Sequence, residues 1–139
     1  MTVKENLRLI DCMIGSYNAR DWKRFREMLS ESVVMYVPGE GPCVGHEANI
    51  EGMKAALAAF PDAQQKKVRS FGHGDWVCLQ VIESGTNTGP FTAPDGKAIP
   101  PTNRRVEMKG VHVAKIQGGK ITEYHECWDR LDLMTQLGL

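Results

Sequence analysis

The side chains of this chain best suited to chemistry fall together between Val106 and Trp128. Two runs there, RVEMKGVHVAKI and KITEYHECW, alternate as strands do and are joined at Gln117-Gly118-Gly119, which predicts a β-hairpin. Side chains of a strand point alternately to its two faces. Val106, Met108, Gly110, His112, Ala114 and Ile116 therefore share one face of the first strand, and Thr122, Tyr124, Glu126 and Trp128 one face of the second. If the two faces coincide, an acid, an imidazole, a phenol and an indole line one wall. Such a wall could move a proton. Burial among apolar groups raises a carboxyl's pKa and suits it to act as a base near neutrality. Glu126 is thus the candidate general base and His112 its candidate partner, as donor or proton shuttle. Tyr17, Tyr36, Met108, Tyr124 and Trp128 are candidate walls for a substrate.

The turn decides whether the faces meet. A two-residue turn at Gly118-Gly119 would set Glu126 opposite Val111 and send His112 to the other side. A three-residue turn with Gly119 as a left-handed glycine bulge pairs Ile116 with Lys120, His112 with Tyr124, and Glu126 with Gly110. The second register gathers the polar set beside a glycine that leaves room, and is the expectation here. Each residue also has a plainer reading. Glu126 could face solvent or pair with Lys109, and His112 could be a core histidine satisfied by a carbonyl. His125 falls on the opposite face. Asp129 suits the N-cap of a short terminal helix better than catalysis.

The elements that must carry this wall follow in order. Val3, Leu7, Ile10, Ile14 and Tyr17 form a helical stripe that breaks at Asn18-Ala19-Arg20-Asp21, where Asp21 can cap a second helix bearing Trp22, Phe25, Met28 and Leu29. A β run, Val33–Val37, stops at Pro38-Gly39, and a third helix carries Ile50, Met53, Leu57 and Phe60 up to Pro61. Strand character then takes over in QKKVRSF and DWVCLQVIES. The segment TNTGPFTAPDGKAIPPTNR is too long for a hairpin turn. It is either a loop leaning over a pocket mouth or a surface excursion. Helices followed by antiparallel strands make an α+β fold, with a curved sheet around packed helices and a cone-shaped cavity between them.

Length and composition bound the function. The 139 residues predict one domain, 1–139, and 17 basic against 17 acidic residues with no basic run remove the electrostatic case for nucleic acid or an anionic membrane surface. No apolar run approaches the roughly 20 residues that span a bilayer. The start, MTVKENLRLIDCM, lacks the apolar block of a signal peptide, so a cytoplasmic location is expected. Cys12, Cys43, Cys78 and Cys127 stand apart with no CxxC pair, which gives disulfide and zinc readings little support.

In order along the chain, Tyr17-Asn18-Ala19-Arg20-Asp21, Gly45-His46-Glu47-Ala48 and Thr86-Asn87-Thr88-Gly89 resemble the SnoaL-like polyketide cyclases of the nuclear transport factor 2-like superfamily. So do Ile99-Pro100-Pro101-Thr102, Arg104-Arg105-Val106, Gly119-Lys120-Ile121, Trp128-Asp129 and Gln136-Leu137-Gly138. The resemblance covers essentially the whole chain. It implies a cone-shaped α+β barrel that works without metal or cofactor and closes a ring by intramolecular aldol condensation. An aspartate takes the α-proton of an ester-activated carbon, and a histidine on the neighbouring strand holds the enolate or the accepting carbonyl. Those positions fall on Glu126 and His112, with glutamate replacing the usual aspartate. A ketosteroid-isomerase-like site would need an aspartate before the proline that ends the first strand, where Val37 stands. A limonene-epoxide-hydrolase-like site would need an Asp-Arg-Asp network.

The expected activity is that of a cyclase, or a related lyase or isomerase, on a small apolar carbonyl compound. Two other readings are a binding module that holds a hydrophobic ligand in the same cone, and an oligomerisation domain whose cavity is filled by Met108, Phe91 and Trp128. The hairpin's outer face, with Val111, Val113, Ile121 and Cys127, predicts a homodimer or higher oligomer.

Overall fold

The computed structural model describes residues 1–93 and 95–139. Thr2 and Glu5 form a reciprocal capping box that starts helix α1 (Val3–Ala19). Its buried stripe of Ile10, Met13, Ile14 and Tyr17 faces the core. Arg20, in the left-handed region at φ 58°, ends the helix. Asp21 caps α2 (Trp22–Glu27) by accepting from the Arg24 amide at 3.1 Å. The segment between these helices also ties them to the sheet. The Asn18 carboxamide donates to the Gln65 carbonyl and accepts from its amide, both at 2.8 Å, while the Arg20 guanidinium donates to the Pro61 and Ala63 carbonyls.

The strands are β1 (Leu29–Tyr36), β2 (Cys43–Val44), β3 (Gln64–His73), β4 (Trp76–Thr86), β5 (Phe91–Thr92), β6 (Ala98–Ile99), β7 (Arg105–Gln117) and β8 (Lys120–Trp128). Helix α3 (His46–Ala59) lies between β2 and β3, and α4 (Arg130–Leu137) follows β8. Six strands form one sheet in the order β2-β1-β8-β7-β4-β3, antiparallel except where β1 runs parallel to β8. The sheet curves around the N-terminal helices to give the cone-shaped α+β fold. Its concave face and the helices share one core, including Ile10, Phe25, Val33, Ile50, Val77, Leu79 and Ile116. Full burial of each such aliphatic side chain stabilises by about 1.5–3 kcal/mol.

The hairpin turn differs from expectation. Gly118 and Gly119 both have positive φ, 58° and 74°, and form a two-residue turn that pairs Gln117 with Lys120 and Ile116 with Ile121. Two left-handed residues give a turn whose twist matches that of the strands, which favours it over a three-residue loop. The single-residue excess appears one step later. Lys115 pairs with Glu123, so Thr122 is a bulge, its hydroxyl 3.4 Å from the Lys115 carbonyl. Turn and bulge together restore the parity of the two faces. Beyond the bulge Ala114 pairs with Tyr124, His112 with Glu126, and Gly110 with Trp128. The expected face is kept and the expected partners shift by two residues. Ile121, expected outside, precedes the bulge and is fully buried in the core.

The long segment before β7 is held by Asn87, which is fully buried. Its carboxamide nitrogen donates to the Ala59 and Gly89 carbonyls at 3.1 and 2.9 Å; its oxygen accepts from the Thr102 amide and hydroxyl at 2.8 and 2.9 Å. Gly89 passes so close to α3 that a Cβ there would stand 1.9 Å from the Ala58 carbonyl oxygen. Within the segment β5 and β6 form a two-stranded ribbon, with the Phe91 ring 6.5 Å from that of Phe60. Pro94 of this segment lies outside the described residues.

Candidate active site

Inward positions on the sheet form a grid. One row across β4, β7 and β8 is Leu79–His112–Glu126. On one side of it lies Val77–Ala114–Tyr124, extended by Met35 of β1, and on the other Val81–Gly110–Trp128. Beyond these Glu83 stands opposite Met108. The structure thus gathers Glu126, His112, Tyr124 and Trp128 on one concave wall.

Glu126 keeps some accessible surface although protein crowds it on nearly every side. Burial pushes its carboxyl up to about 7. The Trp128 indole N–H, donating to Oε2 at 3.1 Å, works in the opposite direction, and the charges of Glu83 and Glu40 add to the rise. A carboxyl balanced near 7 is a competent base at neutral pH and a competent acid once it has taken a proton.

His112 is 3% exposed, and burial depresses its pKa to about 4, so the imidazole is neutral. Its Nδ1 lies 2.7 Å from the Tyr124 hydroxyl, across the diagonal of the β7–β8 ladder. Gly110 is not the space beside the acid that the sequence suggests. A Cβ there would meet His112 Nε2 at 3.3 Å, so the glycine makes room for the imidazole.

Glu83 went unnoticed in the sequence although its signal was present. It continues the inward alternation of Val77, Leu79 and Val81, and an acid in such an apolar row requires polar partners on the inner face. The buried Tyr17 hydroxyl donates to its Oε1 at 2.7 Å, and the Gln65 side-chain amide to its Oε2 at 3.3 Å. Burial, then the Glu83 charge, raises the Tyr17 pKa far above that of an ordinary phenol.

Met108 is half-buried on the same wall, its Sδ 3.4 Å from the Gln136 amide nitrogen. Tyr36 is not on the wall. It pairs with His125, and the two rings stack on the outer face at 4.4 Å and 4°. Its neighbour Met35 takes the inward place, because the alternation of β1 puts Val33 and Met35 inside. Asp129 caps α4 through the Asp132 amide at 3.1 Å. Among the described residues no three His, Cys, Asp or Glu side chains stand together as a metal site would require. An open depression of about 590 Å³, lined by Arg26, Ser30, His46 and Lys120 among others, sits at the opposite end of β8 from Glu126. It holds none of the wall residues.

A family model for the SnoaL-like polyketide cyclases matches residues 7–137. Nogalonic acid methyl ester cyclase of Streptomyces nogalater is 30% identical over 77 residues, 55% of this chain. The match spans 54% of that relative, about half its length. Among solved structures, a Jannaschia protein assigned as a SnoaL-like polyketide cyclase superposes with a TM-score of 0.87 at 20% identity, covering 96% of this chain and 92% of that one. AclR of Streptomyces galilaeus gives 0.83 at 23% identity, covering 99% and 98%. At these identities the structural matches establish the fold.

Proposed function

The chain belongs to the SnoaL-like polyketide cyclase family, and we propose that it catalyses a cofactor-independent ring closure on a small apolar ester, with Glu126 as general base. The observation that carries this reading is the Glu126 carboxyl, raised to about 7 on a concave wall directly opposite a neutral histidine.

The steps balance without a co-reactant. Ionised Glu126 takes a proton from the carbon activated by the ester. The electron pair of that C–H bond becomes an enolate and forms a C–C bond to a second carbonyl carbon. The carbonyl π pair becomes an alkoxide, which takes the proton back from Glu126. His112 donates a hydrogen bond to oxygen while charge sits there. Enclosure strengthens these interactions because the local dielectric is low. Two carboxylates, Glu83 and Glu126, lie within this wall and would repel a free acid, which favours esters over carboxylates as substrates. The likeness to a methyl ester cyclase points the same way. Four free cysteines suit the reducing cytoplasm in which we place the reaction.

The test is incubation with aromatic polyketide methyl esters and smaller β-keto esters, chosen first by the melting shifts they induce. Aldol closure leaves mass unchanged, so a new chromatographic peak of substrate mass, formed by wild type and lost in Glu126→Gln, supports the reading. A compound cyclised equally well by the variant removes Glu126 as base.

A further inference from the structure

A neutral imidazole carries its proton on one ring nitrogen, and the choice decides whether His112 meets substrate as a donor or as a base. Nδ1 and the Tyr124 hydroxyl are 2.7 Å apart, and the two side chains are 3% and 4% exposed. Two arrangements of hydrogen fit that distance. The phenol donates to Nδ1 and the imidazole proton sits on Nε2, or Nδ1 donates and the phenol oxygen accepts. In the second the phenolic hydrogen has no acceptor among the described residues, because His112 Nδ1 is the hydroxyl's partner there. A buried donor left without an acceptor is strongly disfavoured. The first arrangement satisfies the phenol and leaves only the Nε2 hydrogen without a protein partner. Nε2 is not among the sealed, unpartnered side-chain atoms of the described residues, so it stays open to a ligand. The same arrangement puts the Nε2 hydrogen on the ring edge that lies against Gly110, whose lack of a side chain makes room for the imidazole, since a Cβ there would stand 3.3 Å from Nε2.

We propose that Tyr124 is a positioning residue that fixes His112 as its Nε2–H tautomer, so that the imidazole offers substrate a hydrogen bond and not a lone pair. Tyr124 then divides the labour on the wall. Of the pair facing each other across the ladder, Glu126 is left to accept a proton and His112 is held as the donor. The phenol also keeps its own hydrogen. Burial and the charges of Glu126 and Glu83 raise its pKa well above the ordinary phenol value. Nδ1 therefore gains no proton when Nε2–H is engaged, and His112 stabilises charge without giving its proton away. What the donor acts on rests on the cyclase reading; the tautomer does not, since it belongs to the protein without substrate.

The tautomer can be read directly from long-range ¹H–¹⁵N spectra of protein labelled in its histidine rings, at pH 7 and with no ligand. The expected pattern places the His112 proton on Nε2, with the Nδ1 resonance displaced by an accepted hydrogen bond. Tyr124→Phe should move Nδ1 to the position of a free acceptor while His46, His73 and His125 keep their signals, which reports an intact fold. In wild type a slowly exchanging hydroxyl proton correlated with Nδ1 gives the same answer without any variant. A proton on Nδ1 in wild type, or an Nδ1 resonance indifferent to Tyr124→Phe, overturns the proposal. Once a substrate is known, Tyr124→Phe should lower kcat by about tenfold with KM little changed, less than the about 10²–10³-fold typical of deleting a donor outright. Absence of turnover on every ester tried would bear on the proposed reaction alone, because the spectra need none.

Discussion

Glu126 stands directly opposite His112 across the β7–β8 ladder, and one of these two buried groups is pushed toward its proton while the other is pushed away from it. Burial drives both shifts. It disfavours the charged form of each group, so the acid is raised to about 7 and the imidazole lowered to about 4. Over the interval between those values the pair is a protonated or ionising carboxyl facing a neutral ring. The same enclosure thus suits the two groups to the proposed roles of base and donor, with no need for an ion pair between them.

The first prediction concerns the base. Glu126→Gln keeps shape and the bond from the Trp128 indole but cannot take a proton, and kcat should fall by about 10²–10⁴-fold. KM should change little because the expected substrate is uncharged there. Glu126→Asp restores the acid usual in the family yet withdraws the carboxylate by one methylene. A wall shaped around glutamate should lose activity with it, by steady-state assay; full activity in that variant would show that the reach of the side chain is irrelevant.

Acidity gives a second prediction. The proposed reaction needs ionised Glu126, so kcat/KM should rise with pH through about 7 and level off above it. Glu83 raises that value through its charge, so Glu83→Gln should move the midpoint down. The same shift acts on stability. A carboxyl held at about 7 against an ordinary 4.5 keeps its proton in the folded state where the unfolded chain has lost it. Its favourable contribution is whole below 4.5 and is lost as pH rises through 7, a swing of about 3 kcal/mol. Glu126→Gln should therefore unfold at higher urea than wild type at pH 8, with the advantage shrinking toward pH 4.5. His112, lowered by burial, weakens folding as pH falls from 6.5 toward about 4, but equally in both proteins. An advantage that grew with acidity would contradict the assignment.

How far the sequence reveals this site depends on the range of each interaction. Alternation within β7 places His112, Ala114 and Ile116 inward without knowledge of any other strand. The β8 set needs the turn as well, and there two departures from simple pairing offset each other. A two-residue glycine turn reverses the faces, and the Thr122 bulge reverses them again. The inward face was legible because it is the only one that buries Tyr124; the pairing partners were not, since a bulge leaves no mark in composition. Tyr36 illustrates the reverse problem. One residue of phase in β1 decides between the wall and a stack on His125, and Val33–Val37 reads as apolar throughout. The contacts of Tyr17 with Glu83 and of Asn87 with Ala59 join residues far apart in the chain and are set by how the helices dock on the sheet.

Asn87 makes the third prediction. Its four side-chain hydrogen bonds join the end of α3, the Gly89 turn and Thr102 with no exposure to water. Asn87→Ala takes the partner from the Gly89 carbonyl and the Thr102 amide, while the Ala59 carbonyl keeps the Gly89 amide, at about 1–3 kcal/mol for each group that water cannot reach. Urea denaturation should show a loss of at least about 2 kcal/mol, with little change in slope. Asn87→Asp should also destabilise, because its carboxylate would face the Ala59 and Gly89 carbonyls with no hydrogen to give. A variant as stable as wild type would mean that the segment is held elsewhere, by the Phe60–Phe91 contact for instance.

The last prediction concerns assembly. Across the outer face of the sheet, Phe71, Cys78, Val113, His125 and Tyr36 form one pairing row, with Trp76 and Val111 in the rows beside it. Phe71 is 62% exposed, Val111 43%, Trp76 38% and Tyr36 37%, a patch of large apolar side chains left uncovered by this chain alone. Contiguous apolar surface of this kind mostly marks an interaction site. A second copy is the occupant we expect, through a two-fold contact in which the same patch meets itself. Ile121 plays no part in it, being inside the core. Light scattering after size exclusion should give a dimer or larger at micromolar concentration. Val111→Lys sets a charge near the centre of that face, where burial without a partner is costly, and should yield monomer. Ile121→Lys should instead unfold the chain, which separates an interface effect from a core effect. A wild-type monomer, or a Val111→Lys variant that still assembles, would remove this face as the contact.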